Sequence, residues 1–71
     1  MWLILTRPID GVPEWGLTEV VDDGRRVCEI MRKFMREHDG AWNIKAVYFG
    51  ACSEITEEHI RKHDPLYVES T

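Results

Sequence analysis

Apolar positions along the chain fall into blocks separated by glycines and prolines, and the period inside each block differs. The opening stretch MWLILTR is apolar from Met1 to Leu5 without a breaker. Such a run predicts a first strand, central in its sheet and covered on both faces. PIDGVPEWG (Pro8–Gly16) follows, with two prolines and two glycines, and predicts a loop. Val27, Met31, Phe34, Met35 and His38 then recur at intervals of three and four, with Val20, Gly24, Cys28 and Ile30 on or beside the same stripe. Charged residues from Arg25 to Glu37 take the opposite side, so one long amphipathic helix is expected, closed by Gly40. Its start is ambiguous. Thr18 could cap a helix running through Gly24, or LTEVV could be a short strand with Asp22 as the cap; the cost of an interior glycine favours the second.

Period two returns in AWNIKAVYFG (Ala41–Gly50). Trp42, Ile44, Ala46 and Tyr48 mark one face, and Val47 and Phe49 make part of the other apolar as well. SEITEEHIRKHDP predicts a short helix capped by Ser53 or Thr56 and stopped at Asp64-Pro65. LYVES reads as a last edge strand. The sum is a single α+β domain over residues 1–71. A two- to four-stranded sheet carries the long helix on one face and a short C-terminal helix beside it. If the two clearest strands are parallel neighbours, their helical crossover should be right-handed.

Size and charge narrow the function classes. Seventy-one residues make one small domain, whose burial barely offsets its conformational entropy, so a partner, a metal or a second copy would help it. The apolar run at Met1–Leu5 is too short for a membrane span or a signal-peptide core, and a cytoplasmic protein is the expectation. Two cysteines are too few for a disulfide-stapled secreted scaffold. Net charge is −4, which disfavours nonspecific nucleic-acid binding. Yet Arg25–Arg36 holds five bases and one acid, leaving twelve acids and four bases elsewhere, so the chain is a charge dipole.

Chemistry is sparse. Cys28, Cys52, His59 and His63 are ligand types that zinc prefers, and His59 and His63 are one helical turn apart. No Cys-x-x-Cys knuckle accompanies them, and the plainer reading has the histidines bordering a buried side with Ile55 and Ile60. Cys52, ahead of the short helix, could be a nucleophile with His59 as base, but no orienting group or oxyanion donor can be named. Carboxylate dyads, phosphate-binding loops and triads are missing from the pattern. The contact candidates are therefore surfaces. Trp15 is the residue type most enriched at binding hot spots. Arg25, Arg32, Lys33 and Arg36 form a cationic line suited to an acidic patch on another protein.

In length, charge and expected architecture the chain resembles the small acidic α/β inhibitors that phages and mobile elements encode to block host enzymes or defence complexes. That resemblance covers no motif. It implies a non-enzymatic protein-binding module without cofactor, acting by occlusion as an inhibitor or regulator, with a homodimer also open. A zinc domain is the alternative from another class, and nucleic-acid contact through the arginine-rich helix is the third.

Overall fold

The computed structural model describes residues 1–11, 13–38 and 40–64. Among the described residues four strands and two helices occur in the order β1 (Trp2–Pro8), β2 (Gly16–Val21), α1 (Gly24–Glu37), β3 (Trp42–Tyr48), β4 (Glu54–Thr56) and α2 (Glu57–His63). One sheet contains all four strands in the order β2-β1-β3-β4, with every neighbouring pair antiparallel. The architecture is α+β, as the patterning predicted.

Three expectations need correction. β1 and β3 are neighbours but run antiparallel, so no crossover joins them as a parallel pair. The parallel pair is instead β2 and β3, which flank β1, and α1 makes the crossover between them. Second, α1 has 14 residues, an ordinary length rather than a long one, and its cap is Asp23, whose carboxylate accepts from the Arg25 N–H at 2.9 Å. LTEVV is a strand, so Val20 lies in β2 and is 47% exposed instead of joining the helix stripe. Third, Glu54–Thr56 is not helical. It pairs with β3 as β4, and Thr56 then caps α2. The LYVES segment lies outside the described residues.

Core formation follows the pleat. Ile4 and Thr6 of β1, Val21 of β2 and Ile44 and Ala46 of β3 share one sheet face and are buried. Val27, Met31 and Met35, spaced by four along α1, close over them, and Ile60 of α2 is fully buried in the same cluster. Trp2 packs edge-on against Tyr48 at one end of the sheet, with ring centroids 5.2 Å apart. Phe34, His38 and Trp42 gather at the other end. Gly40 has φ of +79°, the left-handed conformation that a glycine after a helix supplies.

Candidate functional site

Among the described residues both helices contribute to the core on one face of the sheet, and neither covers the other face. Its residues are the alternate positions of each strand. Val20, Leu3, Val47 and Glu54 form one row across the sheet, and Leu17, Leu5, Lys45 and Thr56 form the next. Five of these eight side chains are aliphatic. Leu17 is 61% exposed and Val20 47%, while Leu3, Leu5 and Val47 are half-buried. The expectation that β1 is covered on both faces holds only in part: on the second face Leu3 and Leu5 are half-buried, so the unbroken apolar run reflects one core face and one aliphatic face with partial cover.

The Pro8–Gly16 loop returns over one end of this face. Trp15 is half-buried, with the Arg7 guanidinium 4.5 Å and the Lys45 ammonium 4.4 Å from its ring centroid. Arg7 also donates from Nη1 to the Pro13 carbonyl oxygen at 3.0 Å, which holds the loop down. Beyond Trp15 an open hollow of about 600 Å³ is walled by Asn43, Thr56, Glu57 and Arg61, among others.

The cationic line lies on the other side of the molecule. α1 packs on the face of Ile4 and Ala46, whereas Arg7 and Lys45, with Trp15 above them, alternate to the opposite face. Arg25, Lys33 and Arg36 are exposed along α1. Arg32 is not: its side chain is 13% exposed and ion-paired with Asp64. The structure thus does not bring Trp15 and the cations of α1 into one surface.

Between α1 and α2 runs a cleft of about 330 Å³ lined by Cys28, Arg32, His59, His63 and Asp64, with Arg25 and Glu29 at its margin. Three of the four zinc-ligand candidates therefore share a wall, and the His59 and His63 rings are 5.1 Å apart. Cys52 is exposed in the β3–β4 turn. Among the described residues no group of three or more Cys, His, Asp or Glu side chains is arranged to hold a metal ion. Burial pushes the Cys28 thiol above its ordinary pKa, the Asp64 carboxylate adds to the rise, and Arg32 partly opposes it. A thiol so held is a poor nucleophile.

No family model, curated protein or solved structure matches the chain. No helix among the described residues is long and apolar enough to cross a membrane.

Two features escaped the sequence. The aliphatic face away from the helices read as a second buried face. The signal against that reading was a shortage of cover, because antiparallel sheets commonly leave one face free and only two helical stretches were available. Glu57 is the second, and its place in the first turn of α2 gives no sequence signal beyond an acid near a helix start. In the structure its Oε1 accepts from the Ile44 N–H at 2.9 Å and from Asn43 Nδ2 at 3.1 Å, tying α2 to β3.

Proposed function

We propose that this chain is a non-enzymatic protein-binding module that docks a partner protein on the sheet face away from its helices. One observation supports the reading above the rest: Leu3, Leu5, Leu17, Val20 and Val47 form a contiguous aliphatic surface on the side away from the helices. Contiguous apolar patches on soluble domains mark interaction sites far more often than scattered exposed residues do. Lys45 and Arg7 border this patch under Trp15, so the fitting partner offers an apolar centre with carboxylates at that margin. Acting by occlusion, such a module would inhibit or regulate whatever it covers. The cations Arg25, Lys33 and Arg36 then serve association rate and orientation rather than the buried contact.

The test compares tagged wild-type protein with Val47→Lys and Lys33→Glu in capture from the native host. Val47 faces Glu54 across the β3–β4 ladder, so a lysine there is placed opposite an acid and the fold is kept. A protein retained by wild type and by Lys33→Glu but lost by Val47→Lys, at equal melting temperature, supports docking on the sheet. Equal capture by wild type and Val47→Lys rejects it.

A further inference from the structure

We infer that β2 is a dimerisation edge: two copies join antiparallel through β2, about a two-fold axis between Thr18 and Glu19, into one eight-stranded sheet. The inference concerns the edge of the sheet and stands apart from the docking of a partner on its face.

Among the described residues β2 pairs with β1 on one side and has no strand on the other. An end strand presents unpaired N–H and C=O groups along its outer side, and natural sheets commonly blunt such edges with charged side chains, proline, bulges or very short strands. The opposite edge is blunted by length, since β4 has three residues and runs directly into α2. β2 has six residues, GLTEVV, with one acid and one bulge but neither lysine nor proline, and Gly16–Val20 are exposed throughout.

An extra residue in β2 gives the edge its own symmetry. Ile4 faces Glu19 but Leu5 faces Leu17, so Thr18 is inserted as a bulge. The Thr18 hydroxyl lies 2.8 Å from that of Thr6, which is buried on the helix side, so Thr18 turns to that side together with Glu19. Along the strand Gly16, Thr18, Glu19 and Val21 therefore belong to the helix side, and Leu17 and Val20 to the open side. That order reads the same in both directions. A two-fold axis at its centre sets like side against like side at all six positions, whereas a shift by one residue turns aliphatic positions against the helix side. Leu17 of each copy then faces Val20 of the other, twice. The aliphatic row continues across the junction from Leu5 and Leu17 of one copy to Val20 and Leu3 of the second.

A contact of six residues per copy is small, so the association expected is micromolar and reversible. Glu19 of each copy faces Thr18 of the other and stands diagonal to its own counterpart. These two like charges oppose pairing, and Glu19→Gln should tighten the dimer by about two- to five-fold.

Sedimentation of the full chain across the micromolar range tests the association. A register test uses a Cys52→Ser background. Directly opposed positions lie within disulfide reach, so Leu17→Cys/Val20→Cys should give a covalent dimer on mild oxidation. Leu17→Cys alone should not, because the two copies of residue 17 are offset by three residues, about 10 Å. A monomer at every concentration, or equal cross-linking by the single variant, overturns the inference. Dimerisation that survives Val47→Lys while partner capture is lost separates this edge from the proposed docking face.

Discussion

Arg32 of α1 is ion-paired with Asp64, the residue that ends α2, and both side chains are nearly withdrawn from water, at 13% and 6% exposed. The pair spans 32 positions of sequence and joins the two helices at the cleft that Cys28 also lines. Attraction between two such charges is offset largely by the loss of their hydration, so the intact pair adds little. Removing one partner is different, because the other keeps its charge at a site nearly withdrawn from water. Arg32→Met should cost about 3 kcal/mol in urea unfolding, and Arg32→Met/Asp64→Leu should recover most of that loss. Similar stability for the single and double variants would show that the charge left behind carries no penalty.

Glu57 continues the sheet where β4 stops. The β3–β4 ladder pairs Lys45 with Thr56, and one step further along β3 the Ile44 N–H finds the Glu57 carboxylate in place of a backbone carbonyl. The same side chain bonds Asn43, and its other oxygen meets Arg61 at 3.2 Å. Glu57→Ala leaves the Ile44 N–H without this acceptor, at a cost of about 1–3 kcal/mol. Amide exchange at Ile44 should accelerate more than exchange at Ala46. Glu57→Gln, which keeps a carbonyl acceptor, should restore most of the protection.

These two contacts show what the sequence could and could not disclose. Period and breakers sufficed for β1, α1 and β3, because each side chain there follows its own local pleat or turn. Asp23 and Thr56 were legible as caps to within a residue or as one of two candidates, since capping is local as well. Strand direction was not local. The chain reverses after β1 through Pro8–Gly16, and that reversal made β2 and β3 the parallel pair. β4 was hidden because Glu54-Ile55-Thr56 is too short to show alternation and is followed at once by helix formers. The candidate contact residues were legible as types, but their grouping was not. Whether Trp15 and Arg36 share a surface depends on which sheet face each reaches, and they reach opposite ones. Arg32 looked like part of a cationic line until Asp64 closed on it from 32 residues away.

Ile60 ties α2 into the core. It is fully buried among residues that include Val27, Met31 and Ile44. Total stability for a chain of this length is about 4–10 kcal/mol. Ile60→Ala removes three carbons from a packed site and should cost about 2–4 kcal/mol, a large share of the whole. Loss should appear as one transition shifted in midpoint, seen equally by far-ultraviolet dichroism and by tryptophan fluorescence. A separate early transition confined to helix signal would show that α2 unfolds independently.

The two cysteines should differ in their reactivity toward alkylation. Cys52 is exposed in its turn, whereas the half-buried Cys28 thiol is raised above 9.0 by burial first and by the Asp64 carboxylate second. Alkylation should therefore modify Cys52 first, with Cys28 lagging until the pH is well above that value. The same shift bears on stability. A folded pKa above the unfolded one means the native state holds its proton more tightly, so this contribution is complete below pH 9.0. As pH rises past it, the unfolded chain ionises while the folded one does not, and stability falls until the folded thiol also titrates. Wild type should lose more stability than Cys28→Ala over that alkaline window, with no difference in slope near neutrality. Parallel pH profiles for the two would mean that the thiol is solvated in the folded protein and that the α1–α2 cleft is open to water at Cys28.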